Sequence, residues 1–123
     1  MTVVHLREIC GVRSGDKGNI SDLTLFVDDV DTYEFLLREV TIDKVRDHFG
    51  ELVGGPIERF EARNVLGLKF VLYDALGGGG PRSLRSDNLG KTLGGALLRL
   101  RVDVPDELLA RSARNGRRAP LVP

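Results

Sequence analysis

Four consecutive glycines, Gly77 to Gly80, set the strongest constraint on how this chain can fold. Glycine buries no side chain and loses the most backbone entropy on ordering, so such a run suits neither a helix interior nor a strand interior. Pro81 follows it, and then come groups able to hold anions: Arg82, Ser83, Arg85 and Lys91, with Asp87 and Asn88 among them. Backbone that permits close approach, followed by cations and hydroxyls, is the composition of an anion-holding loop. The plainer alternative is a linker between two helices.

The rest of the composition bounds the setting. With 123 residues the chain is expected to form one domain with one core, residues 1–111, and a mobile, weakly apolar tail, 112–123. Eighteen basic and eighteen acidic side chains cancel, so no overall charge draws the chain to nucleic acid or to a membrane surface. The single cysteine, Cys10, excludes an internal disulfide, and only His5 and His48 could join it at a metal, so no metal and no cofactor are expected. No apolar run approaches the roughly 18 residues of a spanning helix, and no signal peptide heads the chain, so a cytoplasmic location is expected.

Periodicity predicts the elements. Thr2–Cys10 and Ile20–Val27 alternate as strands, joined by about nine polar residues in a wide hairpin. Asp31 with Glu34 predicts a capped helix start, and Thr41 caps a second helix that Gly50 stops. Ile57–Arg63 reads as a strand with Phe60 and Ala62 facing inward. From Asn64, the positions Leu68, Val71, Leu72, Ala75 and Leu76 fit one helical stripe, with Gly77 as its C-cap. Asp87 or Asn88 opens another helix, in which Gly94 and Gly95 permit close packing. Leu98–Val104 alternates as a strand, and Asp106–Arg111 forms a short helix. The class is therefore α+β, a mixed or antiparallel sheet with helices on one face.

Two polar clusters carry the candidate chemistry. Arg85–Thr92 ends like a phosphate-binding loop, yet Arg85 stands where the first glycine belongs and no strand precedes it, so nucleotide hydrolysis is not expected. Lys91 and nearby backbone N–H groups retain the capacity to hold a phosphate or carboxylate. Arg13-Ser14-Gly15-Asp16-Lys17-Gly18-Asn19 compresses four kinds of functional side chain between glycines. Asp16 can orient a cation or act as a base, and Ser14 and Asn19 can donate to an oxyanion. A hairpin turn with solvated charges is the alternative. Neither cluster has a histidine near it in sequence, and structural roles are expected for His5, His48 and Cys10. The acidic run Asp28, Asp29, Asp31 and Glu34 fits a helix N-terminus better than a metal site.

The heptapeptide Arg13–Asn19, followed in order by Phe70, Leu76-Gly77-Gly78-Gly79, Ser83-Leu84-Arg85, Asp87 and Gly90-Lys91, resembles the C-terminal ferredoxin-like domain of the acyclic terpene utilisation (AtuA) family. The resemblance spans roughly residues 3–105. It implies a ferredoxin-like α+β fold with about four strands, antiparallel or mixed, and a role beside acyl-CoA carboxylation of branched terpenoid acids. It also implies a larger N-terminal domain, which a separate chain would have to supply. One departure is Ile20-Ser21-Asp22, where the family continues with a small apolar segment.

The expected function is binding of an anionic acyl substrate, such as an acyl-CoA, within a multi-subunit enzyme. Arg13, Lys17, Arg85 and Lys91 would contact phosphate or carboxylate, Ser14, Asn19 and Ser83 would donate hydrogen bonds, and Gly78 and Gly79 would admit the ligand. Asp16, Lys17 and Asp87 are the candidate catalytic groups, the aspartates orienting cations or moving protons. The rival expectation is an assembly module, a homo-oligomer or a partner-chain contact, in which Asp16 and Asp87 form structural ion pairs.

Overall fold

Arg13–Lys17 of the heptapeptide are not a connection but part of a strand. In the computed structural model, which describes residues 2–18, 20–75 and 93–114, β2 runs Gly11–Lys17 and β3 runs Ile20–Phe26. They pair antiparallel from Gly11 opposite Phe26 to Lys17 opposite Ile20, so only two residues join them. Gly18 has φ of +64°, the left-handed value that two-residue hairpins of this twist demand. The expected nine-residue connection fails because β2 lies at the edge of its sheet, and one hydrogen-bonded neighbour suffices to hold even a polar segment extended.

A second correction concerns the predicted helix at Asn64–Leu76. Residues Arg63–Val65 form one 3₁₀ turn, Leu66 takes φ of +52°, and β5 then runs Gly67–Leu72. Leu68, Phe70 and Leu72 are buried on one face of β5, alternating with the half-buried Lys69 and Val71. The same segment satisfies a helical stripe and a strand alternation. Pairing decides between them, since β5 hydrogen-bonds both β3 and β4 (Ile57–Ala62) and completes an antiparallel sheet in the order β2-β3-β5-β4.

The helices lie on one face of this sheet. Helix α1 (Val30–Glu39) is capped by Asp29, which accepts from the Thr32 amide and hydroxyl, rather than by Asp31. Helix α2 (Ile42–Phe49) begins at Thr41 and ends at Gly50, as its spacing predicts. Leu23, Leu25, Leu68, Phe70 and Leu72 meet Tyr33, Leu36, Val45 and Phe49 in a single core. Tyr33 donates its hydroxyl to Gly67 O at 2.7 Å, and Arg59 donates to Leu37 O and Val40 O, which tie α1 to this side of the sheet. Phe60 therefore faces away and is half exposed, against expectation. Because Ile57 and Arg59 take the helix side, period two sends Phe60 to the other side.

A smaller sheet joins the two ends of the domain. Strand β1 is shorter than expected, Thr2–His5, because Leu6–Glu8 turns as a 3₁₀ helix that buries Leu6 and leads to Ile9 and Cys10. Helix α3, residues 93–98, falls within the helix expected after Asp87 or Asn88 and takes only Leu98 from the segment read as strand, closing with Arg99 N to Ala96 O and Leu100 N to Leu97 O. Strand β6 is thus Arg101–Val104, antiparallel to β1, and α4 follows at Asp106–Arg114.

Candidate functional site

Strand alternation divides the heptapeptide between two sides of the sheet. Arg13, Gly15 and Lys17 belong to the side without described helices, where the Arg13 guanidinium carbon stands 5.4 Å from the Phe26 ring centroid. Such a placement favours a cation over the ring face. A Cβ on Gly15 would lie 3.2 Å from an Asp22 carboxylate oxygen, so Asp22 leans into the space that the missing side chain leaves. Lys17 is exposed beside the hairpin tip, opposite Ile20.

Val12 and Ser14 turn the other way, toward α3. Gly94 of α3 sits directly against them: a Cβ there would be 3.5 Å from Ser14 Cβ and Oγ and 3.6 Å from Val12 Cγ1. Ser14 nevertheless remains exposed. The result is a seam between an edge strand and a helix, with an accessible hydroxyl at its lip. His48 helps to hold the helix in place, its Nε2 lying 2.6 Å from Ala96 O. A carbonyl only accepts, so Nε2 carries the proton in this contact.

Beneath the same strand, Ser21 is wholly buried and donates to Gly15 O at 3.4 Å. Ser21 stands opposite Asp16 in the register. Ile20-Ser21-Asp22, a departure from the family pattern inside the expected strand Ile20–Val27, puts Ser21 and Asp22 on the two sides of the Gly15 backbone. The alternation Ser21, Leu23, Leu25 was the signal that Ser21 shares the core face.

Of the predicted site residues, Arg13, Ser14 and Lys17 have described side chains, and Asp16 is placed through its backbone. Asn19, Gly78, Gly79, Ser83, Arg85, Asp87 and Lys91, with the proposed C-cap Gly77, lie outside the described residues. The acidic run supplies the Asp29 cap, and Glu34 accepts from Arg63. Among the described residues, no group of three or more His, Cys, Asp or Glu side chains is placed to hold a metal ion. None of their helices is long and apolar enough to cross a membrane.

The sequence model of the AtuA ferredoxin-like domain matches residues 4–103. The chain belongs to that family. The matched range takes in β2 and α3, hence both walls of the seam, and stops before α4. As an AtuA ferredoxin-like domain the chain has the α+β architecture expected of it, a four-stranded antiparallel sheet with helices on one face and a two-stranded sheet beside it. No curated protein and no solved structure matches it.

Proposed function

We propose that this AtuA ferredoxin-like chain is a small cytoplasmic domain that binds an anionic acyl substrate of the CoA-thioester class. In this reading it serves as one component of a multi-subunit enzyme of branched or terpenoid acid catabolism. The observation that carries the reading is the seam between β2 and α3, where Gly94 leaves the Ser14 hydroxyl accessible. Covalent connection adds to it. Lys91 is three residues from Gly94, so their Cα atoms are held within about 11 Å by the reach of an extended chain.

The roles follow from residue chemistry. Ser14 donates a hydrogen bond at the seam, and Arg13 and Lys17 reach the ligand around the edge strand. Arg85 and Lys91, which precede α3 in the sequence, contact phosphate or carboxylate, Ser83 donates a hydrogen bond, and Gly78 and Gly79 admit the ligand. Asn19 adds a donor beside the hairpin tip, and Asp16 and Asp87 orient the cations or pass a proton. Phosphate and carboxylate groups are held best by such charge-assisted donors.

Isothermal titration of the full chain with CoA and short acyl-CoAs tests the reading, alone and with a chain carrying the larger AtuA domain. Binding that weakens about tenfold in an Arg13→Ala, Lys91→Ala double variant is the expected result. Absence of heat in both arrangements removes the proposal. In the rival role as an assembly module, Asp16 and Asp87 instead form structural ion pairs at a subunit contact.

A further inference from the structure

The side of the sheet opposite α1 and α2 has side chains of a kind that a solvated face does not require. Phe60 is 50% exposed and Ile20 38%, and Phe26 and Val71 are half-buried between them and the charged positions. None of the described side chains on this side is buried. The register fixes how they are arranged. One row across the sheet reads Arg13, Thr24, Lys69, Phe60, and the next reads Gly15, Asp22, Val71, Glu58.

Read strand by strand, the charges on this side alternate. Strand β2 contributes Arg13 and Lys17, β3 contributes Asp22, β5 contributes Lys69 and β4 contributes Glu58. Two identical sheets meeting face to face are related by a two-fold axis lying in the contact plane. If that axis ran across the strands, each strand would oppose its own copy, setting like charge on like in all four lanes. If it runs along the strands, β2 opposes the partner's β4 and β3 opposes the partner's β5. Every lane then meets one of opposite sign. The partner's Phe60 comes to the level of Arg13, and the partner's Glu58 to the level of Gly15, between Arg13 and Lys17.

We infer that the open side of the sheet is the docking surface for a second copy of this chain, with the two-fold axis parallel to the strands. Phe60 on the edge strand, Val71 on β5 and Ile20 at the hairpin tip supply the apolar contact, and the charge lanes select this orientation over the crossed one. The inference shares Arg13 and Lys17 with the acyl-anion reading, whereas the seam at Ser14 lies on the helix side of β2.

Sedimentation equilibrium of the full chain, from micromolar to about 1 mM, is the direct test. A monomer–dimer equilibrium is expected, with the dimer at twice the 13.5 kDa chain mass. Phe60→Asp and Glu58→Lys are each expected to weaken it about tenfold or more, with unchanged circular dichroism. Lys17→Glu combined with Glu58→Lys restores one opposite-sign pair between the β2 and β4 lanes, Arg13 remaining like-charged with the new side chain, and should recover part of the lost affinity. A monomer throughout, a dimer indifferent to both single variants, or a double variant no better than Glu58→Lys would each overturn the inference. Titration of the Glu58→Lys variant with acyl-CoA separates the two proposals, since Glu58 on β4 takes no part in the ligand site and its loss leaves Arg13 and Lys17 free for the ligand.

Discussion

Gly94 and Gly95 are adjacent in α3, yet only one of them touches β2. A methyl at Gly95 meets nothing nearer than an Arg99 nitrogen at 3.9 Å, so Gly95→Ala should stabilise by about 0.5–1 kcal/mol through helix propensity. Gly94→Ala gains the same propensity but sets its methyl against the Ser14 hydroxyl. These are ordinary van der Waals distances, so the expected outcome is a similar stability gain by urea unfolding together with weakened acyl-CoA binding, while Gly95→Ala binds normally. Tyr33 supplies a second test at this scale. Burial, reinforced by the negative charge of Glu61, pushes its phenol above the ordinary value of 10.0. The folded state therefore keeps this proton longer than the unfolded chain. The stability it confers is complete below about pH 10 and is lost as pH rises through the folded value. Tyr33→Phe orphans Gly67 O and should cost about 1–2 kcal/mol at neutral pH. Its stability should also fall less steeply above pH 10. Tyr73, raised by its hydrogen bond to Glu58, retains a residual slope.

Among the elements, those with strong local signals were legible and those decided by pairing were not. Thr41 and Gly50 bracket α2 in the sequence as they do in the fold, because caps are made by residues within one turn of the helix end. The segment Leu68–Leu72 satisfies two periods at once, and its choice of strand comes from β3 and β4, more than 40 residues before it and about 10 before it along the chain. Strand β2 has no apolar alternation to betray it, for a polar edge strand is recognised by its neighbour and not by itself. The glycine at the seam could be anticipated as a close-packing residue, whereas the division of Arg13 from Ser14 could not, since it follows from β2 being extended. Arg59 shows how one side chain fixes an element's position. Its guanidinium is mostly buried and donates to Leu37 O at 2.9 Å and Val40 O at 3.1 Å, the last carbonyls of α1. Arg59→Ala should cost about 2 kcal/mol in urea unfolding, with Arg59→Lys recovering only part because it cannot reach both carbonyls in one plane.

At the scale of the molecule, the four-stranded sheet and its helices make one layer pair, and β1 with β6 closes it. Val102 and Val104 are buried on β6, and Leu6 N reaches Leu100 O at 2.8 Å just beyond the ladder. Closure thus depends on contacts between residues about a hundred positions apart, whose loop entropy is recovered only when the rest is folded. Val104→Ala should lower global stability by about 2 kcal/mol. Hydrogen exchange should show the β1 amides losing protection by the same amount as the β3 and β5 amides if the two sheets unfold together. Selective loss at β1 would mean that the small sheet opens by itself.

The same closure has an architectural consequence. Thr2 stands opposite Val104 in the register, so the chain enters the fold and leaves its last strand at neighbouring points, about 5 Å apart. A domain with that layout can be spliced into a surface loop of another protein without prying the host open. It can also be rewired, with a linker from the end of α4 back to Thr2 and a cut at the exposed Glu51–Leu52 turn, while every strand keeps its partner.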